Sequence, residues 1–166
     1  MVLAYLSAPI IVAGLRKDEF CSSVVKTIED RGIEVFAPQF LEELNSKEIY
    51  RRDVEKLRLS DFVIAEVSNP SLGVGMEIML AIELVKPILM FYSVDSGPLS
   101  KMALGAPGKA LFEYEQTKDV IAILKSRDLD NLMVQKCPLC SCEVAEVIGS
   151  EVRCIACQFS GHEIVV

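Results

Sequence analysis

The chain has 166 residues, 51% of them apolar, and a formal net charge of −7 at pH 7. That apolar content excludes a disordered chain. The excess of acids argues against a nucleic-acid partner, because such binding needs clustered Lys and Arg to neutralise phosphates. The length accommodates one well-buried domain plus a small appendage.

Met1–Leu15 has no charged side chain and contains Pro9 and Gly14. It lacks the basic start of a signal peptide and is short for a membrane span, so a buried strand over Val2–Ser7 followed by a loop is expected, in a soluble cytoplasmic protein with no membrane partner. Asp18–Arg31 places Phe20, Val24, Val25 and Ile28 on one helical face. Ile33–Ala37 reads as a second strand, and Asn45–Leu59 as a helix opened by a capping-box-like Asn45 and Glu48. Phe62–Val67 is a third strand, Gly75–Val85 a helix, Pro87–Tyr92 a fourth strand, Ala110–Tyr114 a weaker fifth and Thr117–Ser126 a last helix. Alternating elements with near-continuous apolar strands predict an α/β fold, a flavodoxin-like doubly wound five-stranded parallel sheet. Its ligand crevice would lie at the carboxyl ends of strands one and three. Ser93–Lys109 carries Gly97, Pro98, Gly105, Pro107 and Gly108 and is expected to be an irregular binding loop.

The expected organisation is an α/β domain over 1–127, a linker over 128–136 and a zinc ribbon over 137–166. Cys137 and Cys140, then Cys154 and Cys157, form two CxxC pairs on either side of a hairpin turning at Gly149-Ser150. That spacing points to a structural Zn²⁺ site in a reducing compartment, with a rubredoxin-like iron site or two disulfides as alternatives. Cys142 reads as a spare, and His162 as a tail residue rather than a ligand.

Between the third strand and the next helix, Ser71-Leu72-Gly73-Val74-Gly75-Met76-Glu77 forms a small, flexible turn. Gly73 and Gly75 would leave backbone N–H groups free for a phosphate or sugar. Glu77 is expected on the first turn of the helix, where the dipole favours its ionised form. Asp53 falls between Ile49 and Leu57 on the apolar stripe of its helix. A carboxylate there is either put to use or paired, with Arg51 or Arg52 as the available partners, and Glu77 is open to a purely helix-capping role.

Three stretches together resemble the 2′-deoxynucleoside 5′-phosphate N-hydrolase branch of the nucleoside 2-deoxyribosyltransferase family. They are Ile49 through Leu57, Ser60 through Val67 and Pro70 through Glu77, joined by Ser96-Gly97 and Leu99 through Met102. The resemblance spans about Leu3 to Leu124 and leaves out the ribbon. It implies an N-glycosidase in which Glu77 attacks C1′ of the deoxyribose, Asp53 protonates or orients the departing base, and Tyr5 touches the nucleophile. Ser71 and Ser100 would hold the 5′-phosphate, Ser100 from the neighbouring subunit of a homodimer, and catalysis would need no cofactor. Base transfer by the same chemistry, or nucleotide binding without turnover, are the other functions such a chain would have. The branch carries a serine and an arginine after the first strand, where this chain has Pro9 and Ile11, and a histidine where this chain has Gln39. Those departures weaken the expected phosphate pocket, with Arg16 the nearest replacement cation.

Overall fold

A computed structural model describes residues 1–161, so His162 and the end of the expected ribbon lie outside the described residues. The chain runs β1 (Leu3–Ser7), α1 (Asp18–Glu29), β2 (Glu34–Phe36), α2 (Ser46–Leu59), β3 (Phe62–Glu66), α3 (Leu72–Glu83), β4 (Ile88–Ser93), α4 (Lys101–Gly105), β5 (Lys109–Tyr114) and α5 (Thr117–Ser126). Strands β1 to β5 pair in parallel in the order β2-β1-β3-β4-β5, the flavodoxin-like order. The period-two alternation of side chains sorts the core into two layers. Ala4, Leu6, Ile64 and Phe91 meet α1 and α5, whereas Tyr5, Val63, Ala65 and Met90 meet Leu57 of α2 and Val74, Ile78 and Ala81 of α3. Asn45 caps α2, its side-chain oxygen accepting from Glu48 N at 3.0 Å. No helix among the described residues is long and apolar enough to cross a membrane.

The second sheet has the order β6-β7-β8-β9, formed by β6 (Leu132–Val134), β7 (Val144–Ile148), β8 (Glu151–Cys154) and β9 (Ser160–Gly161). The hairpin turns at Gly149, which takes φ of 61°, a conformation favouring glycine. Three expectations are corrected. Residues 128–136 do not form a linker: β6 pairs antiparallel with β7, and Leu129 is buried in the core shared with α5. The polar character of the stretch hid four apolar residues that have a sheet to join. Helix α3 begins at Leu72, three residues earlier than expected, because the Ser71 side chain caps it by accepting from Val74 N. The irregular loop over 93–109 contains the short α4, capped in the same way by Ser100.

Candidate active site and candidate metal centre

β1 ends at the carboxyl edge of the sheet, and its residues Tyr5 and Ser7, two apart, point to the face covered by α3. Both are buried, and both donate to Glu77: Tyr5 Oη to Oε1 at 2.7 Å, and Ser7 Oγ to Oε2. Glu77 is the sixth residue of α3, in its second turn, so the four unpaired N–H groups of the helix start lie behind it. The expectation that the helix start would favour its ionised form is therefore corrected. Burial, the largest influence, holds the Glu77 carboxyl above the usual carboxylate range; the Ser7 and Tyr5 hydrogen bonds pull it back, and the Asp53 charge adds to the rise. Burial and the adjacent Glu77 push the Tyr5 phenol far up, so Tyr5 remains a hydrogen-bond donor through the neutral range. A half-buried carboxylate held in place by two hydroxyl donors is suited to nucleophilic attack.

Asp53, on α2, accepts from Arg52 Nε at 2.7 Å, and the Arg52 guanidinium lies over the Phe36 ring, 5.7 Å from its centroid. The pairing available in the sequence is thus made with Arg52, while the Asp53 charge bears on both Tyr5 and Glu77. Ser71, Gly75 and Ser100 line one cavity of about 890 Å³ between α3 and the α4 segment. Gly73, Tyr5, Asp53 and Glu77 are not in its lining. The structure thus brings Ser71, Gly75 and Ser100 to one cavity and Tyr5 to Glu77, and Val74 and Ile78, on either side of Glu77 in α3, also line that cavity. Arg16 donates to the carbonyls of Ile10 and Gln39, tying the loops after β1 and β2 together, and pairs with Asp18 at 3.0 Å.

Two polar residues escaped the sequence reading. Ser7 looked like a strand terminus, and only the register against α3 shows what it touches. Glu66 is fully buried at the end of β3, its Oε1 accepting from Ser68 Oγ and from Tyr114 Oη, the latter at 2.9 Å. Ser68 Oγ in turn accepts from Ser93 N at 2.8 Å, so this carboxylate ties the tips of β3, β4 and β5 together. A lone acid inside the apolar run Phe62–Val67 was the signal for it.

At the ribbon, the sulfurs of Cys137, Cys140, Cys154 and Cys157 all lie within 4.8 Å of one another. Cys137 and Cys157 are 3.6 Å apart, and Cys140 and Cys154 3.7 Å. Four thiolates about 2.3 Å from one ion in a tetrahedron stand about 3.8 Å apart, so the set fits a metal ion. All six cysteines are free of disulfides. Cys142 turns inward, with its sulfur on the backbone of Val144, and stays out of the cluster.

Comparison with known proteins gives the chain its fold and family relationships. The 5-hydroxymethyl-dUMP N-hydrolase of Danio rerio is 45% identical over 74 residues, which are 44% of this chain and 52% of that protein. The chain thus spans about half the length of the curated relatives it matches. Among solved structures, the CMP N-glycosidase BcmB of Clostridium botulinum superposes with a TM-score of 0.60 at 17% identity, covering 75% of this chain and 98% of that one. The 2-deoxyribosyltransferase of Bacillus psychrosaccharolyticus gives 0.59 at 18% identity, covering 78% and 94%. At these identities the two structures establish a common fold. The sequence model of nucleoside 2-deoxyribosyltransferase matches residues 4–133, a stretch that holds β1, α2 and α3 with Tyr5, Asp53 and Glu77. The chain belongs to the nucleoside 2-deoxyribosyltransferase family.

Proposed function

We propose that this chain is an N-glycosidase that cleaves the base–sugar bond of 2′-deoxynucleoside 5′-monophosphates through Glu77. The observation that carries this reading is the pair of hydroxyl donors, Tyr5 and Ser7, on a half-buried Glu77 carboxylate at the carboxyl edge of β1. The Glu77 carboxylate attacks C1′ as the bond to the base breaks, and the base leaves with the electron pair. Asp53 supplies or directs the proton that the base takes up. Water then hydrolyses the glycosyl ester and frees Glu77. Deoxyribose lacks the electron-withdrawing 2′-hydroxyl, so its oxocarbenium-like transition state is reached without further assistance, and these steps use no cofactor.

Ser71 and Ser100 hold the 5′-phosphate with the N–H of Gly73 nearby; the Gly75 N–H, expected to be free, donates to Ser71 O at 3.0 Å inside α3. Ser100 comes from a second copy of this chain. The face that would receive that copy is apolar: Leu72 is 85% exposed and Met102 82%, with Met76 and Met79 beside them. The ionisable residue lining the cavity here is Lys101, in a chain with 24 acids, so two copies can meet on this face without charge repulsion. The ribbon carries a structural Zn²⁺ on Cys137, Cys140, Cys154 and Cys157, which fixes its two knuckles. Free cysteines at this density fit the reducing cytoplasm.

The test is chromatography of deoxynucleosides and their monophosphates after incubation, each with and without a second free base. Free base from monophosphates is expected, falling about 10³-fold or more with Glu77→Gln. Exchange of one base for another would make the protein a transferase. Full activity in Glu77→Gln would overturn the mechanism, and tight nucleotide binding without turnover would make the chain a binding module.

A further inference from the structure

The ribbon is bonded to the segment that carries Ser100. Glu143, three residues past Cys140, accepts from Gly108 N on Oε2 at 2.6 Å, and Glu143 N donates to Lys109 O at 2.9 Å. Its other carboxylate oxygen lies 3.7 Å from Lys136 Nζ. Cys137 N donates to Cys142 O at 2.9 Å, so the peptide presenting Glu143 takes its position from the first knuckle. Lys109 extends the chain of contacts: its Nζ donates to Leu104 O at 2.7 Å and to Ala106 O at 2.6 Å. These carbonyls lie at the C-terminal end of α4, where intrahelical donors run out. The helix that Ser100 caps has five residues, too few to hold its own shape. A cavity of about 400 Å³ lies between Leu104, Lys109 and Leu111 on one side and Cys140, Cys142 and Cys157 on the other, so packing across this gap is thin.

We propose that Glu143 and Lys109 are positioning residues through which metal binding by the four cysteines fixes the Ser100 segment and so sets substrate affinity. The link to affinity rests on the phosphate role given above to Ser100; the mechanical link does not. When the cysteines lose their metal, the loop from Cys137 to Cys142 slackens, Glu143 releases residues 108–109, and α4 loses the lysine that closes its end. Glu77 is held by β1, away from this chain of contacts. Substrate binding weakens while the chemical step is preserved.

Hydrogen–deuterium exchange on the full chain, zinc-loaded and then stripped with a chelator, reads the mechanical link. Stripping is expected to speed exchange over 101–109 about tenfold, the equivalent of one charge-assisted hydrogen bond, with β1 and α3 unchanged. Lys109→Met should loosen 101–107 with the metal still bound and raise KM for a deoxynucleoside monophosphate severalfold at unchanged kcat; Glu143→Ala is the second variant. Faster exchange over 137–157 with none over 101–109 would overturn the proposal. So would a loss of kcat at constant KM, or a KM that neither variant moves. If the wild-type chain turns over no nucleotide, the hydrolase reading fails while the exchange result still decides whether the ribbon holds α4.

Discussion

Glu77 combines a half-buried position with a need to be charged, and its neighbours set where that conflict resolves. Its carboxyl lies above the usual range because burial outweighs the Tyr5 and Ser7 hydrogen bonds. Under the proposed mechanism kcat/KM therefore falls as pH drops through that raised value. Tyr5→Phe removes a donor that favours the charged form, so the acid limb of the pH–rate profile should move to higher pH and kcat should drop about 10- to 100-fold. An acid limb that stays in place would show that Tyr5 does not act on Glu77. The same shift has a stability consequence of definite sign. Between the unfolded and the folded value the folded state binds the extra proton, so stability falls as pH rises through that window. Glu77→Gln should thus raise Tm at neutral pH and leave it unchanged in acid, below both values. Asp53 and Glu77 stand out in the sequence as carboxylates on apolar stripes, and Tyr5 only through the family resemblance. Ser7 does not, since one hydroxyl at a strand end acquires meaning only from what the fold sets opposite it, and the lone acid Glu66 signals burial without naming its partners.

The elements of the first sheet were readable because each has one dominant period, two or 3.6, and clear punctuation. Boundaries were less so. Ser71 reads as part of a flexible turn, but its hydroxyl accepts from Val74 N and starts α3 early, which carries Glu77 into the second turn. The stretch 128–136 was misread because β6 is short and only half-buried, and its strand pairing depends on β7, ten residues further on. Leu129 tests the correction. In a linker, Leu129→Ala would be nearly neutral; buried as it is, it should cost about 2–5 kcal/mol in urea unfolding. The cysteine spacing, by contrast, needed no structure to be read, because four ligands at fixed offsets are a local pattern.

For the whole molecule, the dimer proposed above makes the apolar face of α3 its test. Met79, half-exposed beside the apolar cavity, has no role at Glu77, so under the proposed dimer Met79→Asp should give monomers by sedimentation velocity and reduce activity, since that proposal takes Ser100 from the second copy. A dimer that survives this change uses another face. Sheet order and layering followed from the alternation of elements, but the way the two sheets join did not. Leu129, Val144 and Ile155 share a core with Ala110 and Leu124, and Arg127 Nε donates to Ile155 O at 2.7 Å.

That junction bears on how the protein is made. β5 is an edge strand, and the ribbon bonds to its first residues through Glu143 and covers the core beside it. Residues 137–157 leave the ribosome after β5 and α5, so every new chain passes through a stage with that edge uncovered, open to pairing with another unfinished chain. A cell short of metal would lengthen that stage. The first sign of scarcity would then be a falling amount of protein, ahead of any fall in the activity of the molecules already complete.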